Sequence, residues 1–276
     1  MPPSMLMPFQ GRRPADKPRD DDASNDMIHV TTHFTDLIPA ARALAERLAL
    51  PYGEDPAAAA QFSLLLTPEH LCLQDNQSNA KPLVIDFLTA QMTYRRQHAS
   101  VKRETLARAM GLKNQTTPTI VDATAGLGRD SFILASLGFE VTLLERSPII
   151  QVLLEDGIRR ARLDPTVGTI ANRLHLITQD ASTWLPTLTA ASHPEIIYLD
   201  PMFPERNKSA LVKKEMRIFH AIVGDDPDAD QLLPLALTCA TKRVVVKRPR
   251  LAGHLANLTP SFSQTGSSCR FDIYLI

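Results

Sequence analysis

Cysteine is scarce in this sequence. Its 276 residues hold three, Cys72, Cys239 and Cys269, far apart and with no C-x-x-C pair. That excludes a disulfide framework or a cysteine-built zinc site and fits a reducing compartment. A charge surplus is missing too, because 30 Lys and Arg balance 30 Asp and Glu. Affinity for a nucleic acid must then come from a local patch, not from a field over the whole surface. No run of about 18 uncharged apolar residues occurs, the length a membrane helix needs. The opening MPPSMLMPFQGRRP has no apolar signal region, so a soluble cytoplasmic protein is expected. The eight histidines show no ligand spacing such as H-E-x-x-H, and no Ser-His-Asp or Cys-His arrangement stands out, so neither a metal centre nor a covalent nucleophile is expected. Nor does the chain repeat itself with a period of roughly 20–50 residues.

What is present suits a globular enzyme or binding module: 44% hydrophobic and 22% charged residues, ordinary for a chain that buries a core. Residues 1–26 carry five of the 21 prolines and the mixed charge run RRPADKPRDDD, which predicts a floppy tail. Residues 27–113 read as a small α+β domain. Helical spacing covers 37–50 and stops at Pro51, and three apolar runs (61–67, 70–75 and 82–87) predict a small antiparallel sheet with a turn at Thr67-Pro68-Glu69. A basic helix is predicted over 95–113, with six Lys or Arg against one Glu. From 114 to 276 strands and helices alternate. Strands are predicted at 119–124, 140–145, 174–178, 195–200, 243–248 and 270–276, with helices at 129–137, 148–162, 209–223 and 229–240. Short Val/Ile/Leu runs between amphipathic helices predict an α/β fold, a mostly parallel sheet covered on both faces. Only TPSFSQTGSS precedes the final strand, too short for a crossover helix, so a hairpin through Gly266 makes that strand antiparallel.

The loop VDATAGLGRD (121–130) follows the first of these strands and opens a helix, where an open α/β sheet places its ligand crevice. Gly126 and Gly128 give G-x-G, but position 131 is serine, so the third glycine of a nicotinamide dinucleotide loop is missing. Asp122 before the glycines and Arg129-Asp130 after them suit a zwitterion with an ammonium group better than a pyrophosphate. S-adenosylmethionine (SAM) is such a ligand. Glu145 ends the second strand, where a carboxylate can accept both hydroxyls of a ribose. Asp180 follows the third, within reach of an adenine amine, though it also reads as a helix N-cap. The fourth strand ends in Asp200-Pro201-Met202-Phe203. A carboxylate, carbonyls around a proline that lacks an N–H, and an aromatic face make a receptor for a planar group bearing an –NH₂.

In this order the motifs resemble those of class I SAM-dependent methyltransferases. The fourth is similar to the Asp-Pro-Pro-Tyr/Phe signature of enzymes that methylate exocyclic amines, and departs from it at Met202. The longer strings DATAGLGRDSF, LDPMFP, KSALVKKEMR and ATKRVVVKRP, with RFDIY near the end, resemble one bacterial family, the RsmJ-type small-subunit (16S) ribosomal RNA guanine-N2 methyltransferases. The likeness is strong over roughly 118–276, looser back to about 60, and leaves out 1–26. It implies a Rossmann-like fold whose seven-stranded, mostly parallel sheet ends in an antiparallel strand, with SAM as cofactor. It places Arg129 and Asp130 at the SAM site, Glu145 and Arg146 at the ribose, Asp180 and Ala181 by the adenine, and Asp200 between cofactor and target base.

On this reading Asp200, Pro201 and Phe203 serve catalysis, and the partner is small-subunit rRNA or the small ribosomal subunit. The target base must leave its stack to reach such a pocket. Candidate RNA contacts are Lys208, Lys213, Lys214 and Arg217 after the fourth strand, with Lys247 and Arg248 at the end of the fifth, on the rim where the base enters. The acidic string 224–230 reads as a helix-starting loop, not a metal site. Other acceptors, adenine N6 or a protein amide, stay open, as does a module that only binds RNA; the intact acidic residues count against the latter. A nicotinamide oxidoreductase is disfavoured by the missing glycine.

Overall fold

The computed structural model describes residues 27–53, 60–202, 218–219, 222–224, 228–266 and 269–276. The expected tail at 1–26 and most of the predicted helix at 209–223 lie outside these residues.

The chain enters through a three-stranded sheet, β1 (Ile28–Thr31), β2 (Phe62–Leu66) and β3 (Leu71–Asp75), with α1 (Ile38–Leu48) joining the first to the second. Thr67 receives His70 across the tight turn, its N–H bonding the His70 carbonyl at 3.0 Å. Two features differ from the sequence reading. β1 pairs parallel to β2, so the sheet is mixed. The run 82–87 supplies a single bridge, Leu83 to Leu73, in place of a strand. Its alternating residues Leu83, Ile85 and Phe87 are instead buried in the main core, with Phe87 stacked on Phe132 at 4.6 Å between ring centroids.

The predicted basic helix divides into α2 (Ala90–His98) and α3 (Thr105–Ala109). Ser100 breaks it: its carbonyl accepts the N–H groups of Arg103 and Glu104, and its hydroxyl accepts that of Arg103 at 3.2 Å. A serine that offers the backbone a local partner commonly interrupts a helix in this way.

The larger sheet is built from β4 (Ile120–Asp122), β5 (Val141–Leu144), β6 (Leu174–Ile177), β7 (Ile196–Leu199), β8 (Arg243–Pro249), β9 (Phe262–Thr265) and β10 (Cys269–Leu275). Its order is β6-β5-β4-β7-β8-β10-β9. The first five strands run parallel, and β10 is antiparallel to both its neighbours. The expected seven-stranded sheet with an antiparallel end is therefore found. β10 sits one place in from the edge, because the connector expected to be only a loop itself forms β9.

Side chains alternate between two cores. Ile120, Tyr198 and Val245 join one, which continues into the N-terminal sheet, while Val121, Ile197, Val244 and Val246 join the other. The covering helices are α4 (Arg129–Ser136), α5 (Pro148–Leu163), the short α6 (Gly168–Ala171) and α7 (Ala181–Trp184), and α8 (Ala229–Cys239). Gly157 lies inside α5 because a Cβ there would stand 2.8 Å from the Ile85 carbonyl oxygen. The extended run 82–87 crosses the helix at that point. No helix among the described residues is long and apolar enough to cross a membrane.

Candidate active site

Strand order reverses at β4, with β5 on one side and β7 on the other. That switch point opens a crevice at the carboxyl ends of the strands. A cleft of about 320 Å³ lies there, lined by residues from the ends of β4, β5, β7 and β8.

The loop after β4 is stitched in place by the strands beside it. Ala125 donates its N–H to the Leu144 carbonyl and Ala123 to that of Tyr198, each at 2.9 Å. Gly126 (φ +52°) and Gly128 (φ +68°) both need the left-handed region that glycine enters freely. Their surroundings differ. A Cβ on Gly126 would stand 3.4 Å from the Phe219 ring, whereas one on Gly128 would stand 2.8 Å from Leu154. Gly126 and Phe219 both line the cleft, and Gly128 does not. Gly128 instead lets α4 start hard against α5.

Asp122 is buried at the foot of the loop. It accepts the Ser131 hydroxyl and the Thr124 N–H. Burial pushes its carboxyl up to about 7, helped by the charges of Asp130 and Asp200 and opposed by those two hydrogen bonds. Glu145 accepts Gly126 N–H on Oε2 at 2.9 Å and Ser147 N–H on Oε1 at 2.8 Å. Asp180 caps α7, its Oδ1 accepting Ser182 N–H at 2.7 Å, so the N-cap and cleft readings of this residue hold together. Arg146 pairs with Asp228 at 2.8 Å, joining the end of β5 to the start of α8.

On the far side lies a charged cluster. Asp130 accepts Arg95 on Oδ1 at 2.8 Å, and Lys247 and the Tyr198 hydroxyl on Oδ2, each at 2.9 Å. Burial works against its charge, but Lys247 and Arg95 outweigh it and hold the carboxyl well below the usual carboxylate range. Lys247 also reaches Asp200 Oδ2 at 2.8 Å. Burial raises the Asp200 carboxyl above its usual range, and Lys247 limits that rise.

Asp122, Gly126, Arg129, Asp130, Glu145 and Arg146 thus share one cleft with Asp180, Ala181, Asp200, Pro201 and Lys247. Phe203, Lys208, Lys213, Lys214 and Arg217 fall outside the described residues. The two basic residues at the end of β8 part company. Lys247 lines the cleft, bridging two carboxylates. Arg248, next along β8, points to the opposite face of the sheet, is 8% exposed, and donates Nε–H to the Gly253 carbonyl at 3.0 Å. Successive residues of a strand face opposite ways, so the two cannot act as one basic patch. Arg95 and Tyr198 also belong to the cleft wall, although the sequence suggests neither. Arg95 is 35 residues from its partner Asp130, and Tyr198 reads as an ordinary core strand residue.

Comparison with known proteins agrees with this geometry. A SAM-dependent methyltransferase family model matches residues 43–276. Ribosomal RNA small subunit methyltransferase J of Thioalkalivibrio sulfidiphilus is 47% identical over 253 residues, 91% of this chain and 99% of the relative. The protein of the same name from Nitrosococcus oceani is 48% identical over 238 residues, 86% of this chain and 93% of the relative. This chain belongs to the ribosomal RNA small subunit methyltransferase J family. A solved SAM-dependent methyltransferase from Neisseria gonorrhoeae superposes with a TM-score of 0.71 at 38% identity, covering 90% of this chain and 95% of that one.

The cleft fits the cofactor of this methyltransferase family. Its loop passes under the cleft at a glycine whose missing Cβ leaves room beside Phe219. Glu145 lines it as a carboxylate at the end of β5, and Leu144, Ala181 and Leu232 supply an apolar wall suited to a purine.

Proposed function

We propose that this protein transfers the methyl group of SAM to the exocyclic N2 amine of a guanosine in 16S ribosomal RNA, acting in the cytoplasm on rRNA or the small subunit. The observation that carries the reading is Asp200, which stands at the switch-point edge with 36% of its side chain open to the cleft. The names of the relatives supply the substrate class.

SAM, when bound, supplies an electrophilic methyl on its sulfonium. The protein's own residues do the rest. Glu145 takes the ribose hydroxyls, and Asp180 receives the adenine amine. Gly126 and Asp122 shape the floor, and Arg129 and Asp130 complete the SAM side. The guanine amine is a weak nucleophile because its lone pair is delocalised into the ring. Asp200 and the carbonyls around Pro201 accept its two hydrogens and draw the nitrogen toward a pyramidal geometry. Held near 3–3.5 Å from the methyl carbon, the amine is in attack position. Asp200 then accepts the proton that the amine loses as the new bond forms. Phe203 is assigned to stack on the base, and Lys208, Lys213, Lys214 and Arg217 to hold the RNA backbone.

Methyl transfer from radiolabelled SAM to small-subunit particles and to naked rRNA, both lacking the endogenous modification, tests this. N2-methylguanosine in the digested product is the expected result. Transfer to another atom, or SAM binding without transfer, overturns it.

A further inference from the structure

Lys247 has no part in the chemistry so far. Its ammonium bridges Asp130 Oδ2 at 2.9 Å and Asp200 Oδ2 at 2.8 Å. The two carboxylates are not equivalent. Both Asp130 oxygens are taken, by Arg95 on one side and by Lys247 and Tyr198 on the other, and Arg95 is braced in turn by Glu104 at 3.1 Å. Asp130 is therefore an anchor. Asp200 has Oδ2 held by Lys247, and among the described residues no donor reaches Oδ1.

The titratable groups facing Asp200 are Asp122 from the end of β4, Asp130 from α4, the neutral Tyr198 phenol from its own strand and Lys247 from β8. Lys247 is the one described cation in contact with it. Without that cation, burial and the neighbouring Asp130 carboxylate both favour the protonated acid. A protonated Asp200 would present an O–H donor to an amine that is itself a donor. The register explains why the lysine is there: Tyr198 pairs with Val245, so two residues further on Asp200 comes beside Lys247 on the same face.

We propose that Lys247 is a positioning residue for methyl transfer, which keeps the Asp200 carboxylate ionised and turned so that Oδ1 receives the target amine. The inference rests on the role given to Asp200 above. As the N–C bond forms, the C–S bond breaks with its electron pair left on sulfur, and the amine proton passes to Asp200 Oδ1. Lys247 keeps its own protons throughout. Asp200 gives the acquired proton to water once the product leaves.

The test uses the full chain with Lys247→Met, Lys247→Gln, Lys247→Arg and Asp200→Asn, assayed on small-subunit particles lacking the modification. SAM affinity is measured separately by calorimetry. Lys247→Met should lower kcat about a hundred-fold with SAM affinity unchanged, and should move the acid limb of the kcat–pH profile up by about one unit. Lys247→Arg should restore most of the rate and the original limb. An unchanged acid limb in Lys247→Met overturns the proposal. So does loss of fold in both Lys247→Met and Lys247→Gln, which makes the lysine a structural residue. If Asp200→Asn keeps normal turnover, the role of Asp200 falls first. If Asp200→Asn is inactive while Lys247→Met is normal, only the inference about Lys247 falls.

Discussion

The Glu145 carboxylate accepts the backbone N–H of Gly126 at 2.9 Å, so the end of β5 holds the loop that follows β4. One side chain thereby ties the loop after β4 to the start of the next helix, through Ser147 N–H on its other oxygen. Glu145→Gln puts an –NH₂ where an N–H already points. SAM affinity should fall by at least about ten-fold, the loss of roughly one hydrogen bond to a charged group. Titration calorimetry with SAM checks it, and an unchanged Kd would remove Glu145 from the binding site.

Asp122 makes stability depend on pH. Its folded-state carboxyl titrates at about 7 against 3.8 unfolded. Between those values the folded state holds a proton that the unfolded state has lost. Stability from this group is complete below the unfolded value and declines as pH rises through about 7. Asp122→Asn should therefore be penalised less, relative to the parent, at pH 8 than at pH 5. Thermal melts of both proteins across that range give the answer; parallel curves would contradict it.

Gly157→Ala should cost about 1–3 kcal/mol, the usual penalty for forcing a methyl group into a packed core. The new Cβ would press on the Ile85 carbonyl, away from the cleft. Urea denaturation should show the loss, and SAM affinity in the folded variant should match the parent.

Arg248→Met should lower stability and leave the salt dependence of RNA binding as it was. A phosphate contact would reduce the slope of log K against log salt by about one unit. Arg248 donates Nε–H to the Gly253 carbonyl, on the face away from Asp200. A flattened slope would return it to the interface.

Much of this arrangement was legible because strand ends in an α/β sheet carry the ligand. Once the strands are placed, Asp122, Glu145, Asp180 and Asp200 fall at four adjacent ends without further information. What escaped depends on contacts that local pattern does not encode. IHVT at 28–31 is too short and too polar to announce a strand, yet pairing with β2 makes it one. PLVIDF has strand composition, but its buried alternate residues are used against α5 and Phe132, not in a ladder. Lys247-Arg248 looked like one basic pair because charge was read without parity. Period-two alternation along VVVKR, with the register of β7 beside it, separates the two and points to Lys247 as the partner of Asp200.

The insertion of β10 between β8 and β9 means that the sheet closes out of sequence order. During synthesis β8 cannot gain its outer neighbour until residues 269–275 have emerged, and Lys247 rides on β8. The crevice loops at 121–130 and 145–147 are made long before. In chain order, the loops after β4 and β5 thus come well before the segment that covers the outer edge of β8. The last stretch of the sequence therefore completes the sheet in its interior, and the strand before it takes the edge.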